Sequence, residues 1–291
     1  MRAIDQEVAS QPEMWRRAIE LAPAAHLPAS GLRLAVAGCG TSLYVAQAYA
    51  AAREAAGAGE TDAWAASEFP QARTYDALLA ITRSGTTTEV LDLLRASRGA
   101  EDTFAVTGVP DSPVTGLAGT TVALAFADER SVVQTRFATT ALVLLLAHAG
   151  IDLEPSVAAA ERILAEPLPI DPGRFRRFQF LGRGWTVGLA SEAALKLREA
   201  ARAWAEAYPA MEYRHGPIAL ADAETAVMSF GPLDPTLAAQ ITATGATLLE
   251  PDPEAPLAAL VLAHRMAIAL ARSGDLDPDA PRNLTRSVVL S

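Results

Sequence analysis

The chain has one cysteine, Cys39, and one lysine, Lys196, in 291 residues. A single cysteine excludes an intrachain disulfide and a cysteine-built zinc site. Positive charge is also scarce: 24 Lys and Arg against 34 Asp and Glu give a net charge of -10. An acidic chain repels nucleic-acid phosphate and offers no basic patch to an anionic bilayer, so neither partner is expected. An anionic small substrate remains admissible, because a local site can be positive inside an acidic whole. The first ten residues hold Asp5 and Glu7 and no apolar run, so no secretory signal is expected. The most apolar segments, near Ala141 to Ala147 and Pro256 to Leu270, read as too short, or too interrupted by His264 and Arg265, to span a membrane. A cytoplasmic location follows as the expectation.

What is present is a globular composition, 51% hydrophobic and 20% charged. The length suits two domains of roughly 150 residues each. Since 24 basic residues include one lysine, 23 are arginine. Arginine serves wherever charge alone matters. A retained lysine suits a task that arginine cannot perform, such as that of a titratable amine.

An amphipathic helix is expected over Met1 to Ala24. Short apolar runs then alternate with helical stretches. The expected strands are Leu32 to Ala37, Leu78 to Ile81, Thr103 to Val109 and Thr121 to Phe126; the helices are Leu43 to Ala56, Thr87 to Arg98 and Val132 to Ala149. Glu154 to Arg174, rich in proline, reads as a connector with a short helix over Val157 to Ala165. The same grammar resumes with strands at Phe178 to Leu181, Ala226 to Phe230 and Ala246 to Leu249, and helices at Leu189 to Trp204 and Leu257 to Ala271. Buried strands alternating with helices imply parallel sheets covered on both faces, hence an α/β chain of two similar halves, 1–155 and 156–291. Ligands in such sheets bind where strands end and helices begin.

Several segments could carry chemistry. Gly38-Cys39-Gly40-Thr41-Ser42 can cradle an anion at a helix start, or be an ordinary capped turn. It lacks the Lys of a Walker loop and the third glycine of a dinucleotide fingerprint. Thr82-Arg83-Ser84-Gly85-Thr86-Thr87-Thr88-Glu89 gathers five hydroxyls and an arginine suited to bidentate phosphate contact, and contains a possible capping box, Thr86 to Glu89. Glu129 to Arg136 reads as an N-capped helix start with a solvated charge run. On one helix, Glu192, Lys196 and Glu199 share a face and read by themselves as an exposed ion-pair ladder. His215, before Gly216-Pro217, alone among four histidines sits in turn chemistry; His26, His148 and His264 read as packing or surface residues. Cys39 reads as a small packing residue.

In this order, the segments GCGTS (38–42), ASEF (66–69), SGTTTEV (84–90), FLGRG (180–184), EAALKLREA (192–200), AEAY (205–208), RHGPIAL (214–220) and PRNLTRSV (281–288) resemble the sugar isomerase (SIS) family. The likeness is nearest to the isomerase half of the glutamine–fructose-6-phosphate aminotransferases and covers essentially the whole chain. It implies two SIS subdomains, each a flavodoxin-like parallel sheet between helices, and a phosphorylated sugar or amino sugar as ligand. By the same resemblance Thr82, Arg83, Ser84 and Thr87 match phosphate-binding positions. Thr41 and Ser42 match positions near sugar and phosphate, and Val132 and Gln134 match sugar contacts. Glu199 matches the base that moves a proton between C1 and C2, and Lys196 a lysine beside it. His215 matches a ring-opening residue contributed by the neighbouring subunit of a homodimer with shared sites. No metal or organic cofactor is implied.

The sequence also departs from the family pattern. The glutaminase half is expected to be absent. Arg286 stands at the catalytic position of the family's tail lysine and is too basic for a Schiff base. Arg83 replaces a Gln, and Gln134 a Ser. The expectation is a phosphosugar aldose–ketose isomerase or amino-sugar-phosphate deaminase without glutaminase activity. The rivals are a fructosamine-phosphate deglycase and a non-catalytic phosphosugar sensor.

Overall fold

The computed structural model describes residues 2–97 and 102–290. The expected helix end at Arg98 lies outside them. The expected first helix is two: α1 (Ala3–Ala9) and α2 (Gln11–Leu21), parted at Ser10, with Pro12 in the first turn of α2 where its missing N–H costs nothing.

Five parallel strands follow, β1 (Leu34–Gly38), β2 (Thr61–Ala65), β3 (Ala77–Thr82), β4 (Asp102–Thr107) and β5 (Thr120–Ala123), in the order β2-β1-β3-β4-β5. This is the flavodoxin-like order. Helices α3 (Thr41–Ala55) and α4 (Thr88–Ala96) leave adjacent strands β1 and β3 and cover opposite faces. Strand β1 explains how. Leu34 and Val36 face the α3 side, whereas Ala35 and Ala37 face the α4 side, and all four are buried. The gap between β1 and β3 is thus the switch point where such sheets bind ligands.

Helices α5 (Arg136–His148) and α6 (Glu154–Ala165) lead into the second sheet, formed by β6 (Arg177–Gly182), β7 (Trp204–Pro209), β8 (Thr225–Phe230) and β9 (Thr247–Leu249). It is parallel throughout, in the order β7-β6-β8-β9, and carries α7 (Thr186–Ala201), α8 (Pro235–Ala243) and α9 (Pro256–Ser273). One apolar core runs through both halves, because α3 from the first sheet packs on α7 from the second, and α7 on α9.

Some expected boundaries move. The helix drawn to Trp204 ends at Ala201, because Arg202 takes a left-handed conformation (φ 54°) and the chain re-enters as β7. Helix α5 begins at Arg136 rather than Val132. Among the described residues, α9 is the one helix long and apolar enough to cross a bilayer, contrary to the sequence reading. It is 67% buried inside the protein, as a core helix is.

The α3–α7 contact depends on Gly188. A Cβ there would lie 2.6 Å from the carbonyl oxygen of Tyr44 and 2.7 Å from the amide nitrogen of Ala48. Both are backbone atoms of α3, so the helices would have to separate. Gly188→Ala is expected to cost about 1–3 kcal/mol, read as a lower urea midpoint at unchanged slope. An unchanged midpoint would contradict this account of the junction.

Candidate active site

The β1–α3 and β3–α4 loops lie side by side at the switch point. Gly40 (φ 56°) and Gly85 (φ 65°) supply the left-handed turns that redirect the chain into each helix. A Cβ at Gly85 would also lie 1.9 Å from the hydroxyl oxygen of Ser112, well inside van der Waals contact. Thr41, Ser42, Thr82, Arg83 and Ser84 are all buried.

The hydroxyls after β3 converge on the C-terminal tail. Thr86 Oγ1 lies 3.0 Å from Ser84 Oγ and 2.9 Å from Ser287 Oγ, and Ser84 Oγ lies 3.1 Å from Ser287 Oγ. Thr87 Oγ1 lies 3.4 Å from the same serine, and the Thr88 N–H donates to Val288 O at 3.1 Å. The expected Thr86–Glu89 capping box does not form. Thr87 is the N-cap, and the Thr86 hydroxyl is turned toward Ser84 and Ser287. Thr82 Oγ1 accepts from the Gly85 N–H at 3.3 Å, which holds the turn closed.

Arg83 is held by backbone carbonyls. Its Nη1 donates to Ser131 O (2.7 Å), and its Nη2 to Val132 O (3.3 Å) and Arg286 O (3.0 Å). The guanidinium is buried, and that burial lowers its pKa; Glu129 acts in the opposite direction. Arg83 therefore ties the tail and the 131–132 segment to the β3 loop.

The run from Glu129 to Arg136 is only partly solvated: Arg130 is exposed, whereas Glu129 is not. Glu129 is buried and caps α5 from outside. Its Oε1 accepts from the Thr135 N–H (2.7 Å), the Thr135 hydroxyl (2.8 Å) and the Arg136 N–H (2.7 Å), and its Oε2 from the Phe137 N–H (3.0 Å). Burial raises its pKa, while Arg83 and the backbone donors of Arg136 and Thr135 lower it. Residues 131–135 consequently stay outside the helix, with Ser131, Val133 and Thr135 turned inward and Val132 and Gln134 partly exposed. Glu7 of α1 secures this segment: its Oε1 accepts from the Arg130 N–H at 2.6 Å, and its Oε2 from the Ser131 hydroxyl.

On α7 the expectation of an exposed ladder is overturned. Lys196 and Glu192 side chains are 1% and 2% exposed, and Glu199 is 21% exposed. The Lys196 ammonium donates to Thr41 Oγ1 at 2.7 Å and to Glu199 Oε2, and lies 3.6 Å from Glu192 Oε1. The sole lysine thus joins the second sheet's helix to the first sheet's ligand loop. Glu199 opens on a cavity of about 200 Å³, lined also by Arg202, Asp275, Asp277 and Arg282. His264, expected to be a packing or surface residue, is buried and polar-bonded, with Nε2 3.4 Å from Glu192 Oε2.

Two expected catalytic positions make no hydrogen bond to this cluster. Arg286 is clasped by the 128–129 turn: its Nη2 reaches Asp128 Oδ1 at 2.5 Å and its Nη1 the carbonyl of Glu129. His215 ends an exposed 3-10 turn, and within the described chain it is not in hydrogen-bond contact with Glu199 or Lys196. That turn is held from below by Tyr213, whose hydroxyl donates to Gln179 Oε1 at 2.5 Å, and by Arg214, which donates to Asp234 Oδ1 at 2.9 Å and Gln240 Oε1 at 2.8 Å. Cys39 packs with Trp64 and Phe69 in an apolar cluster; burial and the nearby Glu89 push its thiol pKa up, which makes it a poor nucleophile. Among the described residues no group of three or more His, Cys, Asp or Glu is placed to hold a metal ion.

Two adjoining parallel sheets with hydroxyl-rich loops at the switch point define the sugar isomerase (SIS) fold, and the resemblance read from the sequence is borne out. The chain is similar to that family in both sequence and fold. It is 31% identical over 228 residues to a glutamine–fructose-6-phosphate aminotransferase [isomerizing] of Xylella fastidiosa, a match covering 68% of this chain and 37% of that protein. The chain thus matches little more than a third of that relative's length. Its fold superposes on glucosamine-6-phosphate deaminase from Thermotoga maritima with a TM-score of 0.87 at 24% identity, covering 99% of this chain and 100% of the other. For tagatose-6-phosphate ketose/aldose isomerase from Escherichia coli the TM-score is 0.81 at 19% identity, covering 98% and 97%. No family model matches the chain.

Proposed function

We propose that this protein binds a phosphorylated sugar and moves a proton between its C1 and C2, as an aldose–ketose isomerase or an amino-sugar-phosphate deaminase. The observation that carries the reading is the position of Glu199. It is a partly exposed carboxylate on a cavity, touching a buried ammonium that in turn touches the switch-point loop. A carboxylate so placed can take a proton from one carbon and return it to the next. The neighbouring ammonium stabilises the oxyanion that develops on the enediol or enolamine.

In this reading the hydroxyls of Ser84, Thr86 and Thr87, at the N-terminus of α4, receive the phosphate. Thr41, Ser42, Val132 and Gln134 face the sugar. His215 opens the ring from a second copy of the chain, which accounts for its exposure here. Residues 1–155 and 156–291 act as two SIS subdomains sharing one site. The chemistry needs no glutamine hydrolysis. For an amino sugar, proton transfer from C2 to C1 gives a ketimine, and water then releases ammonia and leaves the ketose phosphate.

A second reading, release of an amine from an N-substituted fructosamine phosphate, is favoured by one feature. The Glu199 cavity carries Arg202 and Arg282 together with Asp275 and Asp277, room and charge for a larger group on nitrogen.

Proton NMR in D2O tests the proposal, with glucosamine-6-phosphate, fructose-6-phosphate with and without ammonium, and tagatose-6-phosphate. Deuterium entering C1 or C2, with ammonia or a new sugar appearing, is the expected result. No exchange with any of these, accompanied by thermal stabilisation by the sugar, would replace the enzyme with a phosphosugar sensor.

A further inference from the structure

A line of buried polar side chains runs from the site across the core to the N-terminal helices. Glu192 Oε2 lies 3.4 Å from His264 Nε2, and His264 Nδ1 lies 3.1 Å from Gln11 Nε2. Gln11 Oε1 lies 2.9 Å from Thr139 Oγ1, which lies 3.0 Å from Trp15 Nε1. These groups come from α7, α9, α2 and α5, and all are buried.

The line has a direction, set at its far end. An indole N–H can only donate. Thr139 Oγ1 therefore accepts from Trp15 and must place its own hydrogen elsewhere. Three acceptors are in reach: Gln11 Oε1 at 2.9 Å, Thr135 O at 3.1 Å and Arg136 O at 3.2 Å. The nearest is Gln11 Oε1. Its carbonyl end facing Thr139 leaves the amide NH2 facing His264, so Nδ1 accepts. A neutral imidazole with Nδ1 as acceptor carries its hydrogen on Nε2 and donates it to Glu192.

We infer that Trp15, Thr139, Gln11 and His264 form a one-way hydrogen-bond chain that holds Glu192 as a hydrogen-bond acceptor, making it the fixed partner of Lys196 and leaving Glu199 the carboxylate free to exchange a proton. The two glutamates, each about one helical turn from the lysine and on either side of it, thus divide the work. Glu192, beside both His264 and Lys196, is buried. Glu199 faces the cavity. The lysine holds Thr41 Oγ1 as its acceptor, so the Thr41 hydrogen is directed elsewhere, toward a bound sugar. Trp15, Gln11, His264 and Glu192 are positioning residues; none needs to touch substrate. The inference about catalysis rests on the proton-transfer reading, whereas the inference about hydrogen-bond direction does not.

The direction is tested on the full chain, without substrate, by long-range proton–nitrogen NMR of protein labelled with 15N-histidine at neutral pH. The His264 signals are assigned by their loss in His264→Gln. A neutral ring protonated at Nε2 is expected; a ring protonated at Nδ1 would overturn the inference. In Trp15→Phe, which keeps an aromatic ring and removes the N–H donor, the Nε2–H form should give way to a mixture; an unchanged His264 tautomer would also count against the chain. The catalytic arm uses whichever sugar the wild type turns over. His264→Phe should lower kcat about 10- to 100-fold with little change in KM, because a buried acceptor loses its donor. His264→Gln, whose amide N–H can reach the Nε2 position, should recover most of that loss. Equal kcat in both variants and wild type would refute the positioning role. A wild type that turns over no sugar would sink the proton-transfer reading while leaving the ring's tautomer to judge the chain.

Discussion

Glu199→Gln is expected to abolish turnover while leaving sugar-phosphate binding nearly intact. Glutamine keeps the shape of the side chain and an oxygen for the Lys196 ammonium, but its amide cannot accept a proton from carbon. Removing a positioned general base costs typically 10²- to 10⁴-fold. Binding should persist because the proposed phosphate contacts belong to Ser84, Thr86 and Thr87, on another sheet and another helix. Turnover by the D2O exchange assay and affinity by calorimetry separate the two effects. A variant that still exchanges deuterium at the wild-type rate would remove Glu199 from its role. A variant that loses binding along with turnover would show that the carboxylate shapes the site as well as acting in it.

Lys196→Met is expected to be among the most destabilising single changes in the chain. Methionine fits the volume of the lysine stem but leaves Glu192 buried without its cation. Removing one partner of a buried ion pair costs about 3–5 kcal/mol. In a chain of this size each kcal/mol lowers Tm by roughly 2–4 °C, so a large drop should be visible in a thermal melt. Pairing the change with Glu192→Gln, which removes the stranded charge, should return part of the loss. A single variant within about 1 kcal/mol of wild type would mean that the ammonium contributes little to stability. Arginine offers no substitute here: its planar fork is larger than the ammonium and needs room that a nearly fully buried position lacks.

Much of this architecture can be read along the chain. Strands such as Leu34–Gly38 and Ala77–Thr82 are short apolar runs because both faces are covered, and parallel strands covered on both faces are apolar throughout. Strands β2 and β7 leave no such signal, and they share a cause. Each is an edge strand, only partly buried, so Thr61–Ala65 and Trp204–Pro209 carry mixed sequences without a continuous apolar run. Helix α8 is hidden in the sequence for a related reason: it is short, and of its nine residues only Leu237 and Ile241 are buried. The left-handed turn at Arg202 gives no warning, since such positions are usually marked by glycine or asparagine.

For the candidate site, the residue types are legible and their surroundings are not. The loop hydroxyls, Lys196, Glu199 and His215 stand out by motif. The burial of Lys196 and Glu192 does not, because the i, i+4 spacing of an exposed ladder is identical to that of a buried pair. Only the packing of α7 on α3 and α9 removes water from that face and brings in Thr41 and His264. Arg83 and Arg286 illustrate the same limit. Their charge suggests a ligand, and the fold gives both to backbone carbonyls, with Asp128 in addition for Arg286.

Sequence alone determined the alternation of strand and helix, the parallel sheets, the two loops at the switch point and the identity of the one lysine, because these follow from local periodicity and from residue chemistry within a few positions. The tertiary structure decided which charges are buried, which hydroxyls meet the tail, and which carboxylate faces a cavity. Those outcomes depend on residues such as Gln11, Thr139 and His264 that are far apart in the chain, and a side chain's solvation and partners are set by what packs over it.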